Sequence, residues 1–478
     1  MRPAPLRLLK FAPALVLAGR ATQSPPSPEA LRQDALARLD VTTPWRAGDR
    51  TPGAVPDNWL STFGDPQLDA LVAEAIAHNP DLRVAAARVQ QANGQLDMAK
   101  AAQRPSLSLL GTGGIKMSDM SSALTGVIAL VSWELDLWGS LRYGRAAAQA
   151  SLEAAQADEA FARQSLAATT AKAWIAATQT RLEAQTAAQM LQSGEQLSGL
   201  AGERLRVGVG TAQDVATADA NLNAQRDIAV QSAFAHQSAV RALELLLGRY
   251  PAAELATRDS LPTLPGPVPA GLPLQMLERR PDLVAAERRV AAAFSRLGQA
   301  RVAALPGLRL TGNVGYLDSD ILQLKQDYDN PSAGVGAKLA MPVDINGEVD
   351  AQKTVRSAQQ EEAIAQYARL ALRALGDVES ALAGGRMLAD RERLLAQLVD
   401  DRGRTLDFTQ SNYKVGRQDL RAVEQQQLGL YDARIQLLRV RADQLAQRIN
   451  LHLALGGGFS PPARQAAVAP RTDHVAAR

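Results

Sequence analysis

Pro80-Asp81-Leu82 returns as Pro281-Asp282-Leu283, an offset of 201 positions (281 minus 80), and its neighbours return with it. Arg88-Val89 meets Arg289-Val290, and Leu96 meets Leu297. Pro105, Leu107, Leu109 and Gly111 meet Pro306, Leu308, Leu310 and Gly312. Further on the offset becomes 208 (347 minus 139): Gly139 matches Gly347, Val207-Gly208 matches Val415-Gly416, and Arg226 matches Arg434. The change falls between the two groups, where insertion must be tolerated. Self-similarity at a fixed period marks duplicated structural units. The chain is a tandem duplication.

Each copy predicts the same order of elements. A helix is expected from about Asp81 to Gln103 and from Asp282 to Ala304. Pro105 or Pro306 stops it, because the ring removes a donor and disfavours helix just before it. Two strands follow, at about 105–139 and 306–347. A very long helix then runs from near Leu141 to Gly208, and from near Glu348 to Gly416. Return helices are expected from Gln213 to Leu247 and from Asp419 to Leu455. No proline lies between Pro105 and Pro251, or between Pro342 and Pro461, so unbroken helix is chemically possible. At ~1.5 Å per residue the stretch 141–207 makes a rod of roughly 100 Å. Such a rod needs partners for an apolar stripe like Leu166, Ala173 and Ala177. A bundle of long hairpins follows, supercoiled left-handedly where the spacing nears a heptad. Gly208 and Gly416 suit the reversals, since glycine tolerates the positive φ that ends helices.

The strand segments carry period two. Val131, Trp133, Leu135 and Leu137 alternate with Ser132, Glu134 and Asp136. Ala333, Val335, Ala337, Leu339 and Met341 alternate with Gly334, Gly336 and Lys338. One apolar and one polar face suit a strand between lipid and a watery lumen, and equally a half-buried strand of any antiparallel sheet. Four strands cannot close alone, because bacterial barrels need at least about eight. A membrane-spanning version has to be shared between chains.

Composition narrows the function. Of 478 residues 46% are hydrophobic but only 4% aromatic, with stretches rich in Ala, Gln, Leu, Arg and Glu, which favours long helices over a compact mixed domain. A net charge of +3 gives no case for nucleic-acid binding. The absence of cysteine excludes disulfides, thiolate metal sites and a cysteine nucleophile. His78, His236, His452 and His474 lack ligand spacing, so no metal site is expected. No nucleophile–base arrangement and no phosphate-binding glycine-lysine loop is present, so neither enzyme nor cofactor is expected. Arg2, Arg7 and Lys10 before the apolar run Phe11 to Ala18 read as a targeting segment, far too short to span a bilayer.

The motifs resemble those of the outer membrane factor family, the efflux lipoproteins similar to TolC and OprM. The carrying segments are Trp59-Leu60-Ser61-Thr62-Phe63-Gly64-Asp65-Pro66-Gln67-Leu68-Asp69, Asn79-Pro80-Asp81-Leu82 and Trp133-Glu134-Leu135-Asp136-Leu137-Trp138-Gly139. Arg279-Arg280-Pro281-Asp282-Leu283 and Tyr413-Lys414-Val415-Gly416 complete the set, in order from about Trp59 to Leu455. The resemblance implies a mainly α protein with membrane β-hairpins. Tandem long helical hairpins would form a trimeric α-barrel, above it a shared 12-stranded β-barrel, four strands from each chain. It implies a bacterial outer-membrane location with a periplasmic extension, and service as exit duct of a tripartite efflux system. The partners implied are two further copies, outer-membrane lipid, a periplasmic adaptor and an inner-membrane pump.

On that plan the chain divides into a signal segment (1–21), an N-terminal extended region (22–58) and a first repeat (59–250). A proline-rich linker (251–273), a second repeat (274–457) and a C-terminal tail (458–478) follow. The resemblance places Val207, Gly208, Val415 and Gly416 at adaptor-docking tips, and Leu420, Glu424 and Asp419 at a periplasmic gate. One departure stands out: Leu17-Ala18-Gly19 precedes Arg20 where the lipoproteins carry an acylated cysteine, so a non-lipidated member is expected. The competing expectation is a periplasmic coiled-coil structural or adaptor protein without a pore. Adaptors usually carry one hairpin flanked by small β-domains, whereas two duplicated hairpins with amphipathic strands favour the duct.

Overall fold

A computed structural model of the chain describes residues 23–38, 41, 43–47, 57–113, 125–318, 331–342 and 344–458. The expected signal segment, Arg20 and positions 459–478 of the expected tail lie outside the described residues.

The first copy comprises α2 (Pro66–His78), α3 (Pro80–Ala101), β1 (Ser106–Thr112), β2 (Thr125–Leu135), α4 (Ser140–Arg206) and α5 (Ala212–Leu246), preceded by α1 (Pro28–Ala35) and a 3-10 turn, Trp59–Phe63. The second comprises α6 (Pro273–Arg279), α7 (Pro281–Val302), β3 (Gly307–Asp318), β4 (Ser332–Ala340), α8 (Glu348–Lys414) and α9 (Leu420–Ala454). Helices α4 and α8 are both 67 residues long, α5 and α9 both 35, α3 and α7 both 22, so the duplication holds residue for residue in these three pairs, while α2 with 13 residues and α6 with 7 differ.

Some boundaries differ from expectation. Leu137 lies outside β2, because Asp136 leaves the strand to cap α4: its carboxylate accepts from the Leu141 and Arg142 amides, each at 3.0 Å. Met341 lies just beyond β4. The N-terminal region read as extended contains α1, started by the Ser27 side chain with Pro28 in the first turn.

The chain forms two compact units. One gathers Met1–Asp40, Arg83–Ala160 and Pro281–Arg373; the other gathers Val41–Leu82, Phe161–Arg280 and Ala374–Arg478. In the first, Ala92 and Leu96 of α3 pack on Leu152 of α4, and Leu31 of α1 packs on Ala286, Val290 and Tyr367. Tyr143 fills the notch at Gly298, where an added Cβ would stand 2.6 Å from its ring.

The second unit holds the larger core. Trp59, Leu60 and Phe63 of the 3-10 turn and Leu68, Leu71 and Val72 of α2 meet α4, α5 and α9 there. Ala177 of the expected stripe is fully buried, and Leu166 and Ala173 pack against the same cluster. Trp174 donates its indole N–H to Asp65 at 3.0 Å. Asp65 also caps α2, so one carboxylate ties the entry of the first copy to the middle of its long helix.

Candidate functional site

The four strands make one antiparallel sheet in the order β1-β2-β3-β4. Directly opposed residues share a face, so the register decides which side chains line up. Leu107 faces Val131, Val131 faces Gly312, and Gly312 faces Val335. The next row reads Leu109, Ala129, Val314, Ala333; towards the helices follow Trp133, Leu310, Ala337 and then Leu135, Leu308, Leu339. One face is therefore apolar in every row. Leu109 is 73% and Val335 96% exposed, so among the described residues nothing covers this part of the face, while Leu135 and Leu308 at the helical end are half-buried.

The opposite face is mixed. Ser132, Thr311 and Gly336 form one row, and Glu134, Arg309 and Lys338 another. Arg309 donates to Glu134 at 2.9 Å. Two indoles close the helical end of the sheet: Trp133 donates to the Gln103 carbonyl at 3.1 Å and Trp138 to that of Pro306 at 2.7 Å. Neither bond was legible in the motif that carries these tryptophans. The outer edges of β1 and β4 have no strand partner among the described residues.

The far ends of the long helices form the second feature. Gly208 and Gly416 adopt φ of 78° and 74°. Around them the Val209 amide returns to the Arg204 carbonyl and that of Arg417 to Asn412, each at 2.9 Å. Such bonds satisfy the last carbonyls of a helix when the residue before them takes the left-handed conformation. The turns leave Val207 and Val415 exposed, at 56% and 67%. Beneath them Ala201, Ala218, Leu406, Tyr413, Leu420, Val423 and Leu430 form a compact cluster from α4, α5, α8 and α9. The Arg204 guanidinium stands 4.8 Å over the Tyr413 ring.

The three residues expected at the gate sit differently from one another. Leu420 lies inside this cluster at 1% exposure. Asp419 caps α9, its carboxylate accepting from the Ala422 amide at 2.9 Å. Glu424 is buried, and its carboxylate accepts from the Asn221 side-chain amide of α5 at 2.5 Å. Burial pushes the Glu424 carboxyl above its ordinary range, against the Asn221 bond and the nearby Arg421 charge. Within one chain its surroundings are thus helix-to-helix and not an open passage, and Asn221 is the partner that spacing did not reveal. Gln225 and Gln427 are also buried nearby in sequence, each with a side-chain oxygen lacking a partner.

Among the described residues no group of His, Cys, Asp or Glu could hold a metal ion. No described helix is long and apolar enough to cross a membrane.

Solved structures place this arrangement in a class. The outer-membrane channel OprN aligns over 89% of this chain and 96% of its own, with a TM-score of 0.78 and 26% identity. The Campylobacter jejuni CmeC outer membrane channel aligns over 86% and 90%, with a TM-score of 0.80 at 20% identity, a likeness of fold alone. The fold is that of the TolC-like outer-membrane channels.

A family model for outer membrane efflux proteins matches residues 71–249 and 272–457, and the chain belongs to that family. Its place is the outer membrane, with a periplasmic extension. The pyoverdine export outer membrane protein OpmQ of Pseudomonas aeruginosa is 29% identical over 439 residues, covering 88% of this chain and 92% of the relative. The cation efflux system protein CusC of Escherichia coli K12 is 28% identical over 477 residues, covering 95% and 100%. These relatives are export and efflux proteins.

Proposed function

We propose that three copies of this chain form the exit duct of a tripartite efflux system. Twelve strands, four from each copy, close one barrel, and the long hairpins continue it into the periplasm. The observation that carries this reading is the in-register apolar face between two unpaired edges: four strands are too few to close, and lipid is the solvent such a face fits. A periplasmic adaptor docks on the tips at Val207, Gly208, Val415 and Gly416. An inner-membrane pump supplies the energy, and the chain itself catalyses nothing.

Leu420, Glu424 and Asp419 form the gate at the periplasmic mouth. Glu424 in its Asn221-bound state belongs to the resting duct, and three such carboxylates constrict it. The test is single-channel conductance of the detergent-purified protein in a planar bilayer, together with its oligomeric mass. Conductance from a trimer is expected. A detergent-independent soluble species without conductance would overturn the duct.

A further inference from the structure

Within the first compact unit, α7 and α8 enclose a groove of about 360 Å³ whose lining includes Arg289, Arg296, Arg356, Gln359, Glu362 and Gln366. The arginines differ in how they are compensated. Arg289 is ion-paired with Asp158. Arg296 donates to the Ser151 hydroxyl, at 3.0 Å, and Arg356 to the side-chain oxygens of Gln359, at 2.9 Å, and Gln352, at 3.1 Å. Neither has a carboxylate partner among the described residues. Glu362, the carboxylate of the lining, accepts instead from Gln366 at 2.8 Å.

Two guanidinium groups thus share a groove whose carboxylate, Glu362, is bonded to Gln366 and to neither of them. Partial desolvation, and then repulsion from Arg356, push the Arg296 guanidinium below its ordinary range although the residue as a whole is exposed. A fold that places like charges together, neither of them paired with a carboxylate, gains when a ligand supplies the missing charge. Guanidinium presents paired N–H donors in a plane, a geometry matched to two oxygens on one phosphorus or carbon. The Gln359 and Gln366 amides add neutral donors at the same wall.

We infer that the α7–α8 groove is a binding site for a multivalent oxyanion, held between Arg296 and Arg356 with Arg289 at its margin. Phosphate-bearing and polycarboxylate molecules share the required chemistry. The site is independent of conduction: a chain that binds such an anion but fails to conduct keeps the groove and loses the duct.

The test is isothermal titration of the detergent-purified full chain with inorganic pyrophosphate at fixed ionic strength. Saturable binding is expected, weakened at least tenfold in Arg296→Ala/Arg356→Ala and strengthened in Glu362→Gln, which removes the opposing charge. Should the double variant not fold, Arg356→Gln and Glu362→Gln carry the comparison. Absence of saturable binding, or equal affinity in wild type and variants, would overturn the inference. So would variants that lose their oligomeric state while the wild type binds nothing, which would assign the arginines to a contact with another copy.

Discussion

Asn79 donates its side-chain amide to the Leu246 carbonyl at 3.0 Å, closing the end of α5, while its own oxygen accepts from the Asp81 amide at 2.8 Å to open α3. The second copy does the first of these jobs with a different side chain. Arg280, the counterpart of Asn79, donates to the carbonyl of Ala454, the counterpart of Leu246, at 3.3 Å. Both caps are buried. Duplication has kept the capped carbonyl while changing the residue that caps it.

Removing either cap leaves a buried carbonyl unsatisfied, which costs about 1–3 kcal/mol. Each substitution also abandons a second partner, the Asp81 amide for Asn79→Ala and Asp377 at 3.6 Å for Arg280→Ala, so both are expected to lower stability measurably. Denaturation of the purified protein followed by helical circular dichroism would show it. Equal and negligible losses would mean that water replaces both donors.

His452 predicts acid sensitivity. It is buried, stacked on Trp59 with ring centroids 5.6 Å apart, and neither ring nitrogen has a partner. Burial, and then Arg448, push its pKa from 6.5 down to about 4. Because the folded value lies below the unfolded one, the unfolded chain takes up the proton first. The stability contributed by the neutral ring is therefore complete above pH 6.5 and lost progressively as pH falls towards 4. His452→Phe, which keeps a ring on Trp59, should flatten the fall of Tm with pH across that window. An unchanged slope would assign the acid sensitivity to carboxylates.

Glu424→Gln separates charge from hydrogen bonding at the mouth. The glutamine can still accept from Asn221, so the tip should keep its packing while the carboxylate charge disappears. Reversal potentials in a salt gradient should shift towards lower cation preference. An unaltered potential would remove Glu424 from the gate.

At the tips, Gly416→Ala forces a Cβ into φ of 74°, at a cost of about 1–2 kcal/mol. Val415→Asp leaves that turn intact and changes only an exposed apolar residue. It should preserve conductance and trimer while reducing export in cells several-fold. Undiminished export would move adaptor docking away from Val415.

The duplication and its helices were legible because they rest on local chemistry. Proline stops, glycine reversals and the absence of proline over long stretches set α4 and α8 to within a residue or two of expectation. The strands were legible in period but not at their ends, since Asp136 is spent on capping α4, a choice only the folded helix reveals. The surroundings of Glu424 were not legible at all. Asn221 lies 203 positions away, on the return helix of the other copy, and no spacing rule joins them. The core partners of Trp59 were hidden for the same reason, as they come from α2, α4, α5 and α9 at once.

The sheet has a consequence for how the protein is made. A newly exported chain presents two strand edges that have no partner among the described residues and a water-facing apolar surface at the same time. That combination recruits other strands indiscriminately. Partners of its own kind must therefore be found quickly, or the strands shielded by an escort until they are, and a cell that overproduces the chain should accumulate aggregates before it accumulates channels.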